Sequence, residues 1–448
     1  MSDTCPHSTL SFISSAYAAQ AGYSRPTEHQ REAAATLQPV LKGNRKRPVH
    51  NASHLGPFCA PLVLPGDDLS EDPEYPPQSI QEWQADGDRN HVVPNKNVLY
   101  VVAPPAVDPS VSFVGSWIKP RHADGMFVVP PDVEDIADYL RVFYHGMPVK
   151  LLPAPPLSFT KWDEKTSKTP RYIGLKMSTE CVRIRTRASK DGIFARQLNL
   201  DDLLDAAISM LPDDAFALLL LVHHDIYENA DDDFACGRAY GGSRIAVIST
   251  ARYHPGLDKK QNVDRLHSWP ASHCKTYMEA CCSEADSSEN ARPKKKMKGN
   301  AATSDTRESG LLDPERYGEL SPLHAALVAY NTLPSLDSPA ALSSMWLGRA
   351  CRTSSHELGH CLGMDHCVYF ACSMQGTASL KEDARQPPFL CPVDLAKMLH
   401  ATGADREQRY RAILAFCDKH TDTHLFAAYA AWIRAQLPET NAKHAKDD

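Results

Sequence analysis

One short stretch constrains this chain more than any other: His356-Glu357-Leu358-Gly359-His360-Cys361-Leu362-Gly363-Met364-Asp365-His366. His356 and His360 are four residues apart, so on a helix both imidazoles project from one face and can share a metal ion. Glu357 lies between them, where its carboxylate can serve a metal-bound water without occupying a ligand position. Gly363 allows a sharp turn at the helix end, and His366 follows three residues later with a third nitrogen. Three histidines leave a fourth position open, the pattern of a catalytic rather than a structural zinc. Zinc brings the pKa of such a water to about 7, and Glu357 is the expected general base. The bland alternative is a set of polar residues on an exposed helix. The five fixed positions argue against it, as does the apolar face of Leu347, Cys351, Leu358, Cys361 and Leu362 opposite the histidines.

A second cluster lies just beyond. Cys367 follows His366 directly, Cys372 comes five residues later, and Cys391 heads a turn with Pro392 and Asp394. Three cysteines around one turn suit a closed structural zinc, with Asp394 the least typical ligand; the alternative is buried free thiols. The chain has 13 cysteines. With no recognisable secretory leader they are expected to be reduced, in an intracellular protein.

These residues resemble the archaemetzincin signature, which continues the long zinc motif with a cysteine after the third histidine. A second cysteine, a methionine two residues on and a late Cys-x-x-Cys complete it. Here they read Cys367, Cys372-Ser373-Met374 and Leu390-Cys391-Pro392-Val393-Asp394, with Asp394 in the place of the last cysteine. The resemblance implies an α/β, zincin-like metzincin catalytic domain. It would have a mixed sheet with an edge strand by the cleft, an active-site helix and a small helical C-terminal subdomain. It further implies that Met374 forms a methionine turn beneath the catalytic zinc, and that an edge strand pairs with extended substrate. The candidate is Ile245 to Thr250, with Ile245, Val247 and Ser249 as substrate-binding positions and a plain internal strand as the alternative.

The rest of the chain divides by texture. Residues 1–125 are rich in proline and read as an irregular extension that wraps a core rather than a separate domain, although Val98 to Val102 could be a strand. Residues 126–253 alternate helical and strand patterns and read as an upper α/β subdomain. In them, Val133 to Tyr144 has helical spacing, and Phe216 to Val222 is a continuous apolar run suited to a buried strand. Residues 254–320 are polar, carry Lys294-Lys295-Lys296-Met297-Lys298, and read as a disordered insertion. The lysine run is a nuclear-import patch or simply a solvated charge run. Residues 321–448 hold the active-site helix, the methionine turn and a helical lower subdomain.

A net charge of -7 gives no push toward nucleic acid or membrane, and no stretch approaches the roughly 18 apolar residues of a spanning helix. The expectation is a monomeric, cytoplasmic or nuclear zinc metallopeptidase acting on peptide or protein substrate, with one catalytic and one structural zinc. The rival is a non-catalytic, zinc-stabilised peptide-binding scaffold.

Overall fold

The computed structural model describes residues 5, 7–37, 58–121, 128–153, 156–163, 167–178, 180–289, 321–334 and 337–437. The lysine run at 294–298 lies outside them. Eleven strands are described: β1 (Val98–Val102), β2 (Ala106–Val107), β3 (Val149–Leu151), β4 (Ser158–Thr160), β5 (Tyr172–Lys176), β6 (Cys181–Arg187), β7 (Gln197–Asn199), β8 (Ala215–Val222), β9 (Ile226–Tyr227), β10 (Gly237–Tyr240) and β11 (Ile245–Ser249).

The apolar run of β8 has every residue buried, as a strand covered on both faces requires. It occupies the middle of a five-stranded sheet ordered β10-β11-β8-β1-β3. All neighbours in that sheet are parallel except β10, which runs antiparallel to β11. Because side chains alternate along a strand, the sheet feeds two cores. Leu99, Val101, Leu219, Leu221, Ala246 and Ile248 face the helices Val133–Phe143 and Pro339–Cys361. Val98, Tyr100, Leu218, Leu220, Ile245 and Val247 face the helix Leu200–Ile208 and a second, mixed sheet ordered β2-β4-β5-β6-β7-β9. Each large apolar side chain so buried contributes roughly 1.5–3 kcal/mol before the cost of ordering the chain. Three helices close the C-terminal side: Pro392–Thr402, Arg406–Cys417 and His424–Gln436. The mixed α/β architecture read from the sequence is therefore present.

Two expected boundaries do not hold. The segment before residue 125 does not only wrap the core but supplies part of it. Its strand β1 is hydrogen-bonded on both sides, to β8 and β3, and Tyr23, Leu69 and Trp83 lie in the main core. Likewise residues 254–289 are folded, with the short turns Pro255–Leu257 and Ala271–His273 and the helix Lys275–Glu289. Trp269, Tyr277 and Met278 are buried in hydrophobic clusters, and buried ion pairs add to that contact. Asp258 accepts from both terminal nitrogens of Arg349, at 2.7 and 2.9 Å, and from Arg265 at 2.7 Å. Arg349 belongs to the Pro339–Cys361 helix, so this segment braces it from one side.

Removing one partner of a buried pair leaves the other charge uncompensated. Asp258→Ala is therefore expected to lower unfolding stability by about 3–5 kcal/mol, read from urea denaturation.

Candidate functional site

The helix carrying the first two histidines starts where its sequence says it should. Ser338 accepts a hydrogen bond from the Ala341 N–H, and Pro339 takes the first helical position. The helix runs to Cys361 and breaks at Gly363, whose φ of +78° suits glycine. The chain then doubles back to bring His366 beneath the last helical turn. The three imidazoles converge, with ring centroids 4.7, 5.1 and 5.3 Å apart.

Their orientation is fixed from behind. His356 Nδ1 lies 2.8 Å from the Ser373 carbonyl and His360 Nδ1 lies 2.7 Å from the Met364 carbonyl. A carbonyl only accepts, so each Nδ1 carries the proton and each Nε2 presents a lone pair. Those two Nε2 atoms face one another at 3.0 Å. Two lone pairs at that distance repel, and a cation between them removes the conflict. The donor set therefore fits a divalent metal with nitrogen ligands. Burial holds the imidazoles in the neutral form that a metal needs, pushing His356 well below its ordinary value, lowering His360, and taking His366 down to about 4.

Glu357 is buried next to this cluster. The backbone of β10 passes directly over it, so that a Cβ on Gly237 would lie 3.1 Å from Glu357 Oε1. Burial pushes the carboxyl up to about 8, with Arg238 on β10 pulling the other way. Met374 is fully buried under the helix, and a Cβ on Gly359 would meet its sulfur at 2.5 Å. The Cys367 N–H donates to the Met374 carbonyl at 2.8 Å, closing the turn.

Residues that the sequence reading passed over hold the loop of the third histidine. Trp83 Nε1 donates to the Leu362 carbonyl at 2.9 Å, and Gln78 donates to the Gly363 carbonyl at 3.0 Å while accepting from the Asp365 N–H at 3.1 Å. The Tyr75 ring lies 5.6 Å from that of His366. The available signal was the capping box Ser79-Ile80-Gln81-Glu82, which starts the short helix Ile80–Ala85 within the proline-rich stretch.

The second cluster also comes together: ligand atoms of Cys367, Cys372, Cys391 and Asp394 all lie within 4.8 Å of one another. The Cys367 and Cys391 sulfurs are 3.6 Å apart, far beyond a disulfide bond of about 2.05 Å. Asp394 Oδ2 sits 3.3 Å from both Cys372 and Cys391. N–H groups of Met374 and Cys391 donate to the Cys372 sulfur, as they do toward a thiolate. Cys391 is not in an isolated turn but caps the helix Pro392–Thr402, which carries Asp394 and, one turn on, Lys397. Lys397 is only 1% exposed and donates to Asp394 Oδ1 at 3.0 Å. Three thiols and a carboxyl gathered in a dry interior need positive charge, and Lys397 supplies only part of it. The donor set fits zinc, with the carboxylate as fourth ligand.

One expectation is overturned. Ile245, Val247 and Ser249 do not line a cleft, because β11 is paired on both sides and its Ile245 and Val247 face the second core, away from the histidines. Ser249 is buried and donates to the His224 carbonyl. The edge of the sheet is β10, whose Gly237 faces Glu357.

Over 360 residues the chain is 22% identical to archaemetzincin-2 of Macaca fascicularis and 23% identical to that of Homo sapiens, covering 80% of this chain and 74% of each relative. Its relatives are archaemetzincins. Human archaemetzincin-1 is 24% identical over 250 residues, 54% of this chain and 39% of that protein. The archaemetzincin structure from Archaeoglobus fulgidus aligns with a TM-score of 0.30 at 18% identity, covering 67% of this chain and 99% of its own. That from Methanopyrus kandleri aligns at 0.32 and 17%, covering 69% and 98%. No family model matches the sequence. Among the described residues, no helix is long and apolar enough to cross a membrane.

Cys372→Ser removes a buried thiol on which two N–H donors converge. It is expected to lower zinc content by one per chain and to lower the melting temperature, by elemental analysis and calorimetry.

Proposed function

We propose that this protein is a zinc-dependent metallopeptidase that hydrolyses peptide bonds, with His356, His360 and His366 holding the catalytic zinc. The observation that carries this reading is the convergence of three neutral imidazoles beside the Glu357 carboxyl, directly beneath an edge strand. When bound, zinc supplies a Lewis acid for the scissile carbonyl and lowers the pKa of a water. Glu357 holds and returns a proton at its Oε1, the atom that faces β10. A second zinc at Cys367, Cys372, Cys391 and Asp394 braces the loop between His366 and Met374. A purely structural scaffold, the rival reading, would have little use for three ligands with a carboxyl placed beside them.

The edge strand supplies a way to hold substrate. Cys236 accepts from the Ser249 N–H at 2.7 Å, so by antiparallel alternation Arg238 and Tyr240 also bond inward to β11. The N–H and C=O groups of Gly237 and Ala239 then point to the free edge. An extended peptide adding there as a further strand runs past Glu357. Substrates of peptide or protein class follow from this mode of binding.

Two outcomes test the reading. Glu357→Gln keeps the size of the side chain but cannot take up a proton. Peptide hydrolysis is expected to fall by at least about 100-fold with zinc content unchanged, and near-normal turnover sinks the mechanism. Ala239→Pro removes one edge donor at a position where proline is tolerated. It is expected to reduce kcat/KM for extended peptides about three- to tenfold while the melting temperature barely moves.

A further inference from the structure

Away from both centres, the start of the described chain meets the folded segment that follows β11. Leu10 bridges to Cys274, the Ser11 N–H donates to the His273 carbonyl at 2.8 Å, and the Lys275 N–H donates to the Thr9 carbonyl at 2.9 Å. This pairing brings Cys5, His7 and His267 together, with one ligand atom of each lying within 4.8 Å of the others.

The two imidazoles are prepared as metal ligands are. His267 Nδ1 lies 2.7 Å from the Asp264 carboxylate, which fixes a proton there and leaves Nε2 for its other partner, the Cys5 thiol. Its ring stacks on Tyr277 with centroids 4.1 Å apart, and the His7 ring meets it edge-on at 5.1 Å. Both rings are buried; the Cys5 thiol is the second partner of His267, whereas Nε2 of His7 has no hydrogen-bond partner among the described residues. A buried, orphaned imidazole nitrogen beside a paired thiol and imidazole is an unfavourable arrangement unless something binds all three. His7 also holds a φ of 47°, a left-handed conformation uncommon for a residue with a side chain. Cys274 adds a second sulfur, 3.6 Å from that of Cys5 and too distant for a disulfide.

We propose that Cys5, His7 and His267 form a third zinc site, with Cys274 as the available thiol for the fourth position. Mixed imidazole and thiolate donors select zinc over the harder cations, and the Asp264 carboxylate behind His267 is the support that zinc-bound histidines use. The site would be a clip, fastening the first residues of the chain to the segment whose Asp258 braces the active-site helix.

The test is zinc content of the full chain and of a Cys5→Ser/His7→Ala variant. A drop of one zinc per chain is expected, and the same pair of changes must again remove one zinc in a His356→Ala/His360→Ala background. Loss of the catalytic centre therefore cannot imitate the result. Equal zinc content with and without the pair overturns the proposal. Should the variant be insoluble, wild-type protein decides by mapped alkylation. Cys5 is expected to resist labelling until a chelator is added, and equal labelling with and without chelator overturns the site. A Cys5 that stays unlabelled after chelation until a reductant is added would instead mark a Cys5–Cys274 disulfide, and also overturns it.

Discussion

The hydrogen bonds from His356 and His360 to the carbonyls of Ser373 and Met364 set the terms for the rest of the site. They choose the tautomer, aim the lone pairs, and require that the loop 362–374 keep one shape. Much of the surrounding structure serves that requirement. The Cys367 to Met374 bond closes the loop, the thiol cluster anchors its far end, and Met374 fills the space under the helix. A catalytic histidine set is only as well ordered as the backbone oxygens behind it.

The sequence was most legible where ligands are close along the chain. His356, Glu357 and His360 share one helix face by spacing alone, and Cys367 to Asp394 crowd within a few turns, so their convergence could be read without knowing the fold. It was least legible where a neighbour comes from far away. Ile245 to Ser249 has the β-branched, apolar texture of any strand, and nothing in it says that its second side is taken by β8, which lies more than twenty residues back. The strand at that edge, Gly237-Arg238-Ala239-Tyr240, is short and half-exposed, and nothing in it has the apolar texture of a core strand. In the same way Lys397 looks like a surface lysine until Asp394 and the thiols surround it.

Polar segments were misjudged for a related reason. Residues 254–274 and 60–90 lack the hydrophobic periodicity that marks core elements. They are nonetheless fixed by a few charge pairs and carbonyl contacts to the active-site helix and the loops that follow it. Arg349 with Asp258 and Arg385 with Asp67 each join such a segment to the catalytic half. Pairs of this kind are weak evidence for stability but strong constraints on register, since a misplaced loop would strand a charge in the interior.

The contacts of Trp83 and Gln78 with Leu362, Gly363 and Asp365 bear on how such a protein could be controlled. Many hydrolases are held silent by a leading segment that is cut away. Here Gln78 and Trp83 support the bend that delivers the third histidine, so losing their stretch would dismantle the site rather than uncover it. The support also joins residues nearly three hundred positions apart. Neither side of that contact is in its final shape until the other is in place.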